Sequence, residues 1–362
     1  MDRALGNITN FWSNAARDTC LFHLENLSTL TGSLSNRPPA ASVSSRPPSH
    51  ERMGQFIESS FTNDAGSRNY KLYVPTGYDG SPLPLIVMLH GCTQDADDFA
   101  AGTRMNKVAE KKRCFVVYPE QSTAGNANKC WGWFSASDCT AEQGEASLIA
   151  GIVHHVRARF RIDKQRIFIA GMSAGGAMAS AMVQAYPGLF AAIGIHSGLP
   201  AGIATDLGSA LAAMRGAVDI VTPTKTSRPP LSMPVIVFHG ERDPTVHVHN
   251  GDRIIAQLTT TDATAVVRRK TTPANQADGS GAAGAFTRSV HRDCHDRVVA
   301  ENWLLHDIRH AWSGGSTKGS YTDANGPDAS EEMLRFFLQV TQRRPRSKTL
   351  NKRTVRRPRA LR

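Results

Sequence analysis

Short, nearly continuous apolar runs recur along the chain: Leu83–Leu89 (LPLIVML), Cys114–Tyr118 (CFVVY), Arg166–Ala170 (RIFIA), Ala191–Ile195 (AAIGI), Pro234–Phe238 (PVIVF) and Val298–Leu305 (VVAENWLL). Runs of this length without polar alternation suit strands buried on both faces. Tyr70–Val74 (YKLYV) alternates instead, as a half-buried strand does, and Pro75 and Gly77 mark a turn after it. Helical patterns fill the spaces between the runs. They cover Asp97–Lys112, Gly144–Phe160 (apolar at Leu148, Ile149, Ile152, Val153 and Val156), Ser173–Tyr186 and Asp328–Thr341. Strand and helix in alternation require parallel pairing through right-handed crossovers. The predicted fold class is α/β: a doubly wound, mostly parallel sheet forming a single domain over residues 51–342. Residues 201–232 and 270–295, rich in Gly, Ala, Thr and Pro, read as irregular insertions at the rim of the sheet.

Composition adds little for the body and more for the ends. Hydrophobic residues make up 40% and charged residues 20%, ordinary for a soluble globular enzyme. No run approaches the roughly 18 apolar residues of a membrane span. Residues 1–50 close on SLSNRPPAASVSSRPPS, too polar to offset the entropy of ordering it, so a flexible leader is expected. The first twenty residues are too polar for the core of a signal peptide, which leaves a cytoplasmic location open. The net charge of +11 suggests a nucleic-acid partner until it is located: residues 343–362 hold ten Lys/Arg and no Asp/Glu, so residues 1–342 carry only +1. The basicity belongs to a tail, expected to be a solvated, disordered extension, with Coulombic attachment to a granule or anionic surface as its functional alternative. No specific nucleic-acid partner and no transmembrane segment are expected. The six cysteines form no CxxC pair, which argues against zinc ribbons and thioredoxin chemistry.

One motif carries chemistry. Gly171-Met172-Ser173-Ala174-Gly175 fits G-x-S-x-G between a predicted strand and a predicted helix. Such a turn is tight, exposes the serine hydroxyl, leaves no room for side chains two positions either side, and aims a helix N-terminus at the reacting group. A serine nucleophile needs a base, and the base an orienting acid, in the chain order Ser, acid, His. Asp243, just past the PVIVF run, is the expected acid, with Glu241 and Asp252 as rivals. His310, in the loop after the last strand, is the expected base, with His306 as rival. His247, His249, His291 and His295 read as surface residues, and neither a metal nor a cofactor is called for. An oxyanion is expected to take the backbone N–H groups of Ala174 and of Cys92, in the His90-Gly91-Cys92 loop.

At these residues the chain resembles the poly(3-hydroxybutyrate) depolymerase family of esterases. The matching stretches are LHGCTQDADDFA (89–100), YPEQ (118–121), KCWGWF (129–134), GEASLI (144–149), AGMSAGGAMA (170–179), HSGLP (196–200), FHGERDPTVH (238–247) and HAWSGGSTKGSYTDANGPDAS (310–330). The resemblance implies the α/β-hydrolase fold, the triad Ser173, Asp243 and His310, and hydrolysis of 3-hydroxyalkanoate polyesters or their oligomers. Feruloyl and acetylxylan esterases are related, which makes acylated plant polysaccharide the alternative substrate. The resemblance also implies an extracellular setting, a disulfide from Cys92 to Cys130 (Cys139 being the other partner for Cys130), and aromatic faces for the substrate at Trp131, Trp133 and Trp312.

Overall fold

Each apolar run becomes a strand, with ends shifted by no more than a few residues. The computed structural model describes residues 54–217, 232–259, 268–272 and 284–342. Within them β3 is Leu83–Leu89, β4 Phe115–Pro119, β5 Ile162–Met172, β6 Ala192–His196, β7 Val235–Gly240 and β10 Val298–Leu305. β3 to β6 pair in parallel in the order β4-β3-β5-β6, and β7 and β10 extend the same array. β3 shows why the runs are continuous. Leu85, Val87 and Leu89 face one core, Ile86 and Met88 the other, and all are fully buried. Helices α3 (Gly144–Arg159) and α4 (Ala174–Ala185) cover the first face; α1 (Ala96–Thr103), α2 (Met105–Lys112) and α7 (Ala329–Val340) cover the second.

The order reverses at β3, whose neighbours are β4 on one side and β5 on the other. In open α/β sheets such a switch point leaves a crevice at the carboxyl ends of the strands. The loops after β3, β5, β7 and β10 therefore gather along one rim.

Several expectations need correction. Asp97–Lys112 is not one helix: the chain breaks at Arg104, in the left-handed region at φ 55°, where its guanidinium bonds Gly314 O and Asp328. The sheet is antiparallel at both flanks. On one side β1 (Gln55–Asn63) and β2 (Gly66–Val74) form a hairpin joined to β4. On the other, β9 (Phe286–Arg292) and β8 (Arg268–Thr272) follow β10. The segments read as irregular thus contribute β8 and β9, and also helix α5 (Leu207–Met214); helix α6 (His249–Leu258) was not foreseen either. β11 (Trp312–Ser313) pairs with β12 (Thr322–Asp323) as a separate short ladder. The expected leader, residues 1–50, and tail, residues 343–362, lie outside the described residues, as do parts of both insertions. No helix among the described residues is long and apolar enough to cross a membrane.

Candidate active site

Ser173 stands between β5 and α4 with φ 54° and ψ −122°, a region that L-residues occupy only under constraint. The flanking glycines supply it. A Cβ at Gly171 would lie 2.4 Å from the Gly175 carbonyl, and one at Gly175 would lie 2.1 Å from Leu89 O. Strand, turn and the end of β3 touch without room for a methyl group, as the motif anticipated. Ser173 itself is buried, 4% exposed.

Asp243 follows β7 with its side chain fully buried. Oδ1 accepts the N–H groups of Thr245 and Val246 at 2.9 and 2.8 Å, and Oδ2 accepts His310 Nδ1–H at 2.8 Å. Burial alone would raise the Asp243 pKa. The His310 charge and hydrogen bond, His239 and the Val246 N–H outweigh it and hold the carboxyl well below its usual range. The bond to Asp243 places the neutral imidazole's proton on Nδ1, so Nε2 is the free acceptor. The rival pair is arranged differently. Glu241, half-exposed, bonds His306 Nδ1 at 3.0 Å, but His306 Nε2 is engaged by Thr287 Oγ1 at 2.9 Å, so both ring nitrogens are used. Asp252 is bonded to Asn302.

A residue that the sequence reading passed over links Ser173 to the His310 loop. The carbonyl of His196, at the end of β6, accepts Ser173 N–H at 3.0 Å. Its ring Nε2 accepts Ser313 N–H at 3.0 Å and stacks between Phe238 and Trp312. Burial first, then the charges of His239 and His310, lower its pKa to about 3, so it is a neutral strut. His239 plays a similar part behind Asp243: Nε2–H donates to Val246 O at 2.7 Å, fixing the turn that presents the carboxylate. In the sequence each is a histidine at the end of a buried strand (AIGIH, VIVFH) inside a stretch that matches the family, with nothing to mark its role.

The loop after β3 lies against the serine, since a Cβ at Gly91 would be 3.6 Å from Ser173 Cβ. Among the described residues no hydrogen bond uses the N–H of Cys92 or of Ala174, the first residue of α4. Cys92 is disulfide-bonded to Cys130; Cys139 is a free thiol that donates to Trp133 O. The substrate-facing aromatics need correction. Trp131 and Trp312 are each 1% exposed: Trp131 donates Nε1–H to His90 O and packs on the His90 ring, while Trp312 packs against Phe99 and His196. Both belong to the support of the rim. Trp133, 7% exposed, is buried slightly less completely and packs edge-on against Phe134. His291 lies on β9 and His295 in the turn after it, and no group of three or more metal-ligating side chains occurs among the described residues.

The model of the family described as Esterase PHB depolymerase matches residues 68–276, more than half of the chain. The chain belongs to this family. It is 30% identical over 265 residues to poly(3-hydroxyalkanoate) depolymerase C of Paucimonas lemoignei, covering 70% of this chain and 60% of that protein. It is 32% identical over 170 residues to a probable acetylxylan esterase A of Aspergillus fumigatus, covering 47% of this chain and 44% of that one. The matches thus span about half of those relatives' own lengths. Among solved structures, acetyl xylan esterase from Aspergillus awamori superposes with TM-score 0.54 at 18% identity, over 71% of this chain and 94% of that one. S-formylglutathione hydrolase from Agrobacterium tumefaciens gives 0.50 at 15%, over 80% and 96%. Likeness at this level speaks for the α/β-hydrolase fold.

Proposed function

We propose that the protein is a serine esterase whose catalytic domain spans residues 51–342, with Ser173 as nucleophile, His310 as base and Asp243 as the acid that orients it. The observation that carries this is the 2.8 Å bond from His310 Nδ1 to Asp243, made at the rim where Ser173 is held in a strained turn. Ser173 Oγ attacks the ester carbonyl as its proton passes to His310 Nε2. The N–H groups of Cys92 and Ala174 receive the charge that develops on the carbonyl oxygen. The alcohol leaves with the proton from Nε2. Water, deprotonated by the same nitrogen, then attacks the acyl-enzyme to release the acid and free Ser173.

The proposed substrates are 3-hydroxyalkanoate polyesters or their oligomers, supported by family membership and by the likeness to poly(3-hydroxyalkanoate) depolymerase C over 265 residues. Deacylation of plant polysaccharide is the second reading, supported by the acetylxylan esterases among the relatives. Trp133, the most exposed tryptophan among the described residues at 7%, is kept as a substrate contact. The ten cationic residues of the C-terminal segment are proposed to hold the chain to an anionic granule surface. Hydrolysis of a short-chain nitrophenyl ester tests the chemistry. Ser173→Ala is expected to lose at least about 10⁴ in kcat, and equal rates in variant and parent would remove the serine mechanism. Initial rates on hydroxybutyrate oligomers against acetylated xylan then choose between the substrate readings.

A further inference from the structure

A buried carboxylate away from the proposed triad gathers both ends of the oxyanion loop. Glu145, in the first turn of α3, is 6% exposed. Its Oε2 accepts Gly132 N–H at 2.8 Å, and its Oε1 accepts a hydrogen from the side-chain amide of Gln121, itself 2% exposed. The other hydrogen of that amide goes to Cys130 O at 3.1 Å. The backbone N–H of Gln121 goes to His90 Nε2 at 3.0 Å, and His90 Nδ1–H closes on Gly91 O at 2.7 Å. Cys130 is covalently joined to Cys92, and Trp131 between Cys130 and Gly132 donates to His90 O. Arg68, from the neighbouring β2, lies 3.5 Å from Glu145 Oε1 and keeps a counter-charge close. The loop 90–92 therefore rests on segment 130–132 and on Gln121, and both rest on Glu145.

The geometry points to Glu145 as a positioning residue that, through Gln121 and segment 130–132, holds the Cys92 N–H where the oxyanion forms; this rests on the serine-esterase reading above. The carboxylate is the one side chain that bonds both Gln121 and segment 130–132 as an acceptor only, Oε1 to the Gln121 amide and Oε2 to Gly132 N–H. In Glu145→Gln one oxygen becomes an NH2 group, which must face either the Gln121 amide or Gly132 N–H, donor against donor. Loosening follows at the loop, which touches the developing charge and not the ground-state ester.

The test is steady-state hydrolysis of a nitrophenyl ester by the full chain, with inhibition by an alkylboronic acid as a tetrahedral mimic. Glu145→Gln is expected to lower kcat by roughly ten- to a hundredfold, less than or equal to the loss of an oxyanion donor, with KM within about threefold and boronate inhibition weakened in parallel with kcat. Gln121→Met removes the link but leaves the Glu145–Gly132 bond, and is expected to give a smaller loss of the same kind. The double variant is expected to lose less than the product of the two single losses, since both cut one path. Thermal midpoints monitor folding; if Glu145→Gln fails to fold, Gln121→Met carries the test. Variants that fold and keep the parent's kcat and boronate inhibition, or that raise KM alone, would overturn the inference. A parent whose activity survives Ser173→Ala would overturn the serine reading and this inference together, an outcome told apart by that control.

Discussion

Two buried carboxylates lie on or just beyond adjacent strands of the sheet and have opposite kinds of partner. Asp243, after β7, and Glu301, on β10, both have fully buried side chains. Asp243 faces imidazoles, which can be neutral: His310 at 2.8 Å and His239 at 3.6 Å. Glu301 faces guanidiniums, which cannot: Arg288 from β9 reaches it at 2.7 and 3.0 Å, Arg335 from α7 at 2.6 Å, and the Trp303 indole at 3.1 Å. The first arrangement can accept and return a proton without stranding a charge. The second pairs the carboxylate with cations that do not give up their charge, and fastens the antiparallel flank and helix α7 to the parallel centre. Burial of a carboxylate is therefore no sign of catalysis; the titratability of its partner is the distinguishing property.

The sharpest way to break this comparison is to neutralise each carboxylate in turn. Asp243→Asn is expected to cut kcat for a nitrophenyl ester by about 10⁴, the scale seen when an orienting acid is amidated, while the fold persists because His310 and His239 can remain neutral. Glu301→Gln is expected to keep kcat within about threefold but to lose roughly 2 kcal/mol of folding free energy, since it leaves Arg288, about one-third exposed, without its carboxylate while Arg335 keeps Glu332. Urea titration with parallel kinetics checks both, and a stability loss without a rate loss in Asp243→Asn would reverse the assignment.

A pH-dependent effect concerns the neutral histidines. Burial, more than any other influence, pushes the His90 pKa down from 6.5 to about 4. Above pH 6.5 neither the folded nor the unfolded chain protonates this ring, so its contribution to stability is intact. As pH falls from 6.5 to about 4 only the unfolded chain takes the proton, and stability drops progressively through this window. Chemical denaturation between these pH values is expected to show a shallower decline in His90→Gln than in the parent. An unchanged slope would mean that His90 is not held neutral.

Legibility in the sequence followed the strength of the local signal. β3, β4, β6 and β7 are buried at every position, so their runs are nearly continuously apolar and hard to misread. β1 contains no fully buried residue, and its sequence, QFIESSFTN, carries too little contrast to be seen. β9 has one buried position in seven, and only pairing with β10 explains it. The break at Arg104 depends on Gly314 and Asp328, more than 200 residues away, which no window along the chain contains. At the site, the glycines around Ser173 and the order of Asp243 and His310 were readable because covalent geometry and fold topology impose them. Trp131 and Trp312 were misread because an aromatic in a rim motif looks the same whether it faces substrate or supports the loop behind. His196, His239, Gln121 and Glu145 went unrecognised because their roles exist only as contacts across the fold.

The central claim is that Ser173 Oγ is made nucleophilic by His310 and Asp243. Labelling with a fluorophosphonate, followed by peptide mass spectrometry, tests it most directly. A single adduct on the peptide carrying Ser173, absent in Ser173→Ala and formed at least about 100-fold more slowly in His310→Ala, is the predicted result. An adduct at another residue, or labelling of Ser173 at the parent's rate in His310→Ala, would contradict it.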